Sequence, residues 1–119
     1  MTAANPIDWW ALAQISGDDA ATQREFLARF RVFNDKDQAA LLEAAGKSDA
    51  PGMMHAAHRI KGAASTVGAM ELAAAAESVE LACREGDVAL ARSLVPMVGA
   101  ALERLGAYMD SLALPSPPD

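Results

Sequence analysis

Between Asp19 and Leu112 apolar residues recur at steps of three and four, and the rhythm breaks at only three short places, Gly46-Lys47, Gly68 and Gly86-Asp87. A period near 3.6 residues belongs to a helix with one buried face, and no stretch carries the signals of a strand. Four amphipathic helices joined by links of a few residues must run as antiparallel neighbours, because so short a link only lets the chain turn back on itself. The expected fold class is therefore all-α: an up-and-down antiparallel four-helix bundle with a short additional N-terminal helix.

That short helix is expected to start at Asn5-Pro6, with Asn as the cap, Pro in the first turn and Asp8 at the positive end of the dipole. It runs through Trp9, Trp10 and Ile15 to Gly17. So short a helix needs a larger body to dock on, and Trp9 and Trp10 are the expected anchors. The second helix begins after Asp18-Asp19 or at Thr22, where Glu25 would complete a capping box. Its inward row is Phe26, Phe30, Phe33, Leu41 and Ala44, with Asp37 as the polar exception. The third, capped by Ser48 or Asp49 with Pro51 in its first turn, buries Met53, Ala57, Ile60, Ala64 and Val67. The fourth carries Leu72, Ala76, Val79 and Cys83 inward. Asp87 caps the fifth, whose row is Ala91, Leu94, Val98, Ala101 or Leu102, Leu105, Tyr108 and Leu112. Pro96 removes a backbone hydrogen bond inside it and should bend it. Residues 1–112 are expected to form one domain, and residues 113–119 a disordered tail ending in LPSPPD.

Composition narrows the function. Alanine is about a quarter of the 119 residues; it is the best helix former, and on inward positions it lets helices approach closely. Ten basic against sixteen acidic residues give a net charge of −6, the opposite of the footprint that nucleic-acid phosphates require. A single cysteine excludes an internal disulfide and the paired thiolates of a zinc finger. No apolar run approaches the roughly 18 residues of a membrane span. The first ten residues lack a basic segment followed by an apolar one, so a cytoplasmic location without membrane contact is expected.

One polar constellation stands out, on the third helix: His55, His58, Arg59, Lys61, Gly62 and Ser65. With the apolar row turned inward, positions 58, 61, 62 and 65 share the opposite face. Lys61 lies one turn from His58, so an ammonium can sit beside whatever the imidazole carries. Gly62 is adjacent on the same face, and a mid-helix glycine costs about 1 kcal/mol relative to alanine. In a chain that uses alanine so freely, the missing side chain suggests that something must approach His58 closely. The plainer reading is a surface histidine beside a solvated lysine.

The stretch AHRIKGAASTVGAMEL, from Ala57 to Leu72, resembles the signature of histidine-containing phosphotransfer (HPt) domains. That signature has a histidine, an aliphatic residue, Lys-Gly, a run of small residues, a second glycine and a leucine on the next helix. Here these are His58, Ile60, Lys61, Gly62, Gly68 and Leu72. The long helix before the motif and the turn from Arg84 to Asp87 also sit where such domains have them. The resemblance implies a phosphoryl carrier rather than an enzyme, with His58 accepting a phosphoryl group from the aspartate of one receiver domain and passing it to another. Receiver domains of response regulators or hybrid kinases would be the partners and would supply the metal and the acidic pocket, so this chain would need no cofactor. A histidine with an ordinary pKa of about 6.5 is a competent nucleophile near neutrality, and Lys61 would offset the charge of the phosphorylated ring.

By the same resemblance Glu80 and Arg84 face the phosphohistidine: Glu80 would accept a hydrogen bond from the ring nitrogen that is not phosphorylated, and Arg84 would add positive charge. Gly62 and Ser65 complete the supporting set. The alternative is that Glu77, Glu80 and Arg84 form the exposed face of the fourth helix, with Glu80 and Arg84 an ordinary i,i+4 pair. His55 makes an HxxH pair with His58, but further metal ligands are lacking, so no metal is expected. Cys83 reads as a small core residue. A monomer is expected because the bundle closes within one chain. The second functional reading is a module that binds receivers without transferring phosphate.

Overall fold

Residues 6–115 are described in a computed structural model of the chain, and every regular element among them is a helix. In order these are α1 (Trp9–Ser16), α2 (Ala20–Gly46), α3 (Ala50–Thr66), α4 (Met70–Arg84) and α5 (Val88–Ser111). An aspartate side chain caps four of the five N-termini: Asp8, Asp19, Asp49 and Asp87 accept from backbone N–H groups of α1, α2, α3 and α5. Each satisfies a donor that the first helical turn leaves without an internal partner. At α2, Thr22 is therefore not the cap but bonds back to it, its hydroxyl donating to Asp19 at 2.6 Å.

The start of α1 differs from the sequence expectation. Asp8, not Asn5, caps it, accepting from Trp10 and Ala11, while the Asp8 backbone N–H donates to the Gly68 carbonyl at 2.8 Å. That bond between the α3–α4 turn and the chain just before α1 sets where the helix can begin; Asn5 lies outside the described residues. The anchoring is also divided differently. Trp9 is half-buried and donates its indole N–H to the Tyr108 hydroxyl at 2.8 Å. Trp10 is 73% exposed, and Ile7 and Leu12 fill the core in its place.

The rows of α3 and α4 are buried as expected: Met53, Ala57, Ile60, Ala64 and Val67 on one, Leu72, Ala76, Val79 and Cys83 on the other. On α5 the buried row is Ala91, Val95, Val98, Ala101, Leu105 and Met109, with Leu94, Leu102, Tyr108 and Leu112 half-buried along its flank. The helix continues through Pro96, which removes the donor to the Arg92 carbonyl on the exposed side. On α2 the buried face is Leu27, Phe30, Asn34, Leu41 and Ala44, while Phe33 is 61% exposed. The inward face is thus rotated from the Phe26–Phe30–Phe33 line toward Leu27 and Asn34. Of the expected tail, Ala113–Pro115 are described, and Leu114 packs half-buried on the core.

α3 packs most extensively on α4, α4 on α5 and α2 on α3, and α2 also touches α5. Both helices are rich in buried alanine, with Ala56, Ala57 and Ala64 on α3 and Ala73, Ala75 and Ala76 on α4. Interaxial distance follows the size of the side chains at the contact, so these two helices lie close. That closeness lets a side chain of α4 reach residues of α3.

The turn between them depends on Gly68. Its φ is +76°, and a Cβ there would stand 2.5 Å from the Asp8 carbonyl oxygen. Gly86 has nearly the same φ, +77°, but open space around it. Gly86→Ala therefore carries only the left-handed penalty, about 1 kcal/mol, whereas Gly68→Ala must also push α1 away, a total of about 3 kcal/mol. Thermal unfolding of the two variants checks this: a clearly larger drop in Tm is expected for Gly68→Ala, and equal drops would refute the contact.

Candidate functional site

The α3–α4 seam ends at the surface in a cluster built around one buried carboxylate. Glu80 is 1% exposed, on the face of α4 turned toward α3. Its Oε1 accepts from Lys61 Nζ at 2.6 Å. Its Oε2 pairs with His58 Nδ1 at 2.8 Å and accepts from Arg84 Nη2 at 3.0 Å. A buried charge is tolerated only when it is paired and hydrogen-bonded, and here both oxygens are. The hydrogen bond from Lys61 does most to hold the Glu80 carboxyl below its ordinary 4.5, against the upward push of desolvation; the His58 bond and the charges of Lys61 and Arg84 add to it. Glu80 is thus a carboxylate at neutral pH.

That charge state settles the histidine tautomer. An ionised carboxylate can only accept, so the His58 Nδ1 must carry the proton. In the neutral ring, Nε2 then holds the lone pair. The His58 side chain is 62% exposed, whereas Lys61 is only 28% exposed and is already engaged with Glu80. The arrangement is an exposed imidazole ring whose Nδ1 is clamped from within the protein and whose Nε2 keeps the lone pair.

The structure brings His58, Lys61, Glu80 and Arg84 together, and places the other expected residues as follows. Gly62 is exposed, and a Cβ on it would meet nothing within 4 Å. The chain's own packing therefore does not demand glycine there. Ser65 is exposed on the same helix and its side chain is outside the Glu80 cluster. Arg59 does not contribute free positive charge beside His58: its Nε donates to Asp37 of α2 at 2.9 Å. This pairing also accounts for Asp37 as the polar member of an otherwise apolar row. His55 is exposed. Among the described residues, no group of three or more His, Cys, Asp or Glu side chains could hold a metal ion. Cys83 is buried, and desolvation, reinforced by the Glu80 charge, pushes its thiol above the ordinary 9.0. Among the described residues, no helix is long and apolar enough to cross a membrane.

Of the Glu80 contacts, only the one to Arg84 is visible as a sequence spacing; those to Lys61 and His58 span 19 and 22 residues. The burial of Glu80 was the least legible feature. Its one signal was position, a single residue after Val79 on the inward row of α4.

A family model described as the Hpt domain matches residues 25–108, most of the chain and all of α3 and α4. The chain belongs to the Hpt domain family. Hpt domains are carriers of phosphoryl groups on histidine in phosphorelays, not enzymes, and that role holds for this chain. Among solved structures, the histidine-containing phosphotransfer protein B (HptB) from Pseudomonas aeruginosa PAO1 superposes with a TM-score of 0.83. The match covers 92% of this chain and 96% of that one at 23% sequence identity, which shows a shared Hpt fold. A search of curated proteins returned no match.

Proposed function

We propose that His58 is the phosphoacceptor of this Hpt domain and that Nε2 is the accepting atom. The observation that carries the reading is the hydrogen bond between His58 Nδ1 and the buried Glu80 carboxylate, which leaves Nε2 unprotonated on an exposed ring. In transfer, the Nε2 lone pair forms a bond to phosphorus while the bond between phosphorus and the donor aspartate breaks, and its electron pair leaves with the carboxylate. The product ring keeps the proton on Nδ1 and gains positive character, which Glu80 offsets. The incoming phosphoryl oxygens bring negative charge, and Lys61 and Arg84, both held at Glu80, are close enough to be shared with them. Gly62 keeps the adjacent surface clear for the partner, and Ser65 borders the same face.

The donor and acceptor are receiver domains of response regulators or hybrid histidine kinases, which supply the magnesium-dependent chemistry. The architecture we assign is an up-and-down antiparallel four-helix bundle, α2–α5, with α1 as the added short helix. The cycle of packing from α2 through α3, α4 and α5 back to α2 supports it. We further assign residues 1–112 to the domain and 113–119 to a tail, whose Leu114 packs back onto the core. The protein acts as a cytoplasmic monomer without nucleic-acid or membrane partners.

Incubation with a receiver domain phosphorylated on its aspartate tests this. The transferred label is expected to be lost in acid and retained in alkali, as a phosphorus–nitrogen bond requires, and to be undiminished in His55→Ala. An acid-stable label, or one lost in His55→Ala, would overturn the assignment.

A further inference from the structure

The exposed Phe33 is not explained by the core, and its surroundings suggest a use. Arg29, Phe33 and Lys36 lie at i, i+4 and i+7 on α2, and all three are exposed. Among the described residues neither Arg29 nor Lys36 forms an ion pair, in a protein of net charge −6 whose cations near His58 are all paired. The stripe also lies at the level of the His58 site. A Cβ on Gly52 would stand 3.0 Å from the Ala44 methyl, and Asp37 pairs with Arg59. Moving seven residues back along α2 thus moves seven forward along α3, and four more bring Phe33 level with Ala63, beside the open surface at Gly62. Ala63 lies about 7–8 Å along the helix axis from His58.

An ordinary protein interface covers about 800 Å² on each partner, a patch of about 16 Å radius. A partner centred on His58 therefore covers Phe33. Aromatic and arginine side chains are the groups that dominate binding energy in such patches, and unpaired cations steer an acidic partner toward them.

We propose that Arg29, Phe33 and Lys36 form a docking stripe for the receiver domain that exchanges its phosphoryl group with His58. Phe33 is the apolar anchor, and the two cations attract the acidic surface surrounding the receiver's aspartate. The proposal rests on the phosphocarrier reading and extends the site from α3 and α4 onto α2. Phe33 touches no reacting atom, so it governs encounter and not the chemical step.

The test separates the two readings. Phosphoramidate, a small donor that needs no docking surface, loads wild type and Phe33→Ala. The probe is the receiver domain, among those purified from the same organism, that takes label fastest from loaded wild type. Loading and phosphohistidine lifetime are expected to be equal in both proteins. With the probe, Phe33→Ala is expected to raise the KM for transfer about tenfold, with kcat within about twofold of wild type. The double variant Arg29→Glu/Lys36→Glu lowers kcat/KM at low salt and flattens its salt dependence. Leu42→Ala and Met97→Ala, comparably exposed at 54% and 52%, leave KM unchanged. An unchanged KM in Phe33→Ala, or an equal rise in the two controls, overturns the docking stripe alone. Wild type that neither loads from phosphoramidate nor transfers to any receiver overturns the phosphocarrier reading beneath it.

Discussion

Replacing His58 with glutamine abolishes phosphoryl uptake and leaves the fold intact. The His58 side chain is 62% exposed and makes one side-chain hydrogen bond, to Glu80. A glutamine amide can donate to the same carboxylate, so Glu80 keeps its partners and the change in stability stays within about 1 kcal/mol. An amide nitrogen has no available lone pair, however, and the nucleophile is gone. Label uptake from a phosphorylated receiver is expected to fall by at least about a hundredfold, the scale of losing an essential nucleophile. Circular dichroism and thermal unfolding should match wild type. If His58→Gln still takes label, His58 is not the acceptor. If it unfolds, the hydrogen bond to Glu80 is structural rather than orienting.

How far the sequence foretold these features depended on the helix. The row on α3 was legible because every member is apolar while His58, Arg59, Lys61 and Ser65 mark the opposite side, so one rotation buries it. α2 was not legible in the same way. It carries phenylalanine on two neighbouring lines, and the face it buries includes Asn34, a residue that no hydrophobic pattern selects. The consequence was functional as well as structural, since Phe33, read as core, is surface. α1 was misread for a tertiary reason: Asn5-Pro6 is a good start signal, but Asp8 caps the helix while its backbone N–H is held by the Gly68 carbonyl. The site was legible in its polar members, because His58, Lys61 and Gly62 share a face of one helix. The burial of Glu80 was hidden because a carboxylate is normally assigned to solvent. It is paid for by three cationic or hydrogen-bonding partners, two of them on another helix.

Glu80 variants separate orientation from stability. Glu80→Leu replaces a buried, paired charge with an apolar side chain of similar size, an exchange that is often neutral or stabilising. Lys61, Arg84 and His58 each retain access to water, at 28%, 57% and 62% exposure, so none becomes a stranded buried charge. The variant should therefore unfold no earlier than wild type at pH 7. Its imidazole, however, loses the acceptor that holds the proton on Nδ1, and Lys61 and Arg84 lose the carboxylate that gathers them. Phosphoryl acceptance should fall about 10- to 100-fold, on the scale of removing the hydrogen-bond partner that orients a metal-binding imidazole. Glu80→Gln keeps an acceptor oxygen for Nδ1 without the charge and should recover part of that loss, as a positioning role requires. The pH dependence supplies an independent check. Because the folded-state pKa of Glu80 lies below its ordinary 4.5, its ionised form contributes stability that is fully present above that value. This contribution is lost as pH falls through the lowered folded-state pKa. Wild type should thus lose more Tm between pH 7 and pH 3 than Glu80→Leu, which lacks the titrating group. Parallel losses would show that the carboxylate is not stabilised by its partners. Full acceptance in Glu80→Leu would show that the ring does not need it.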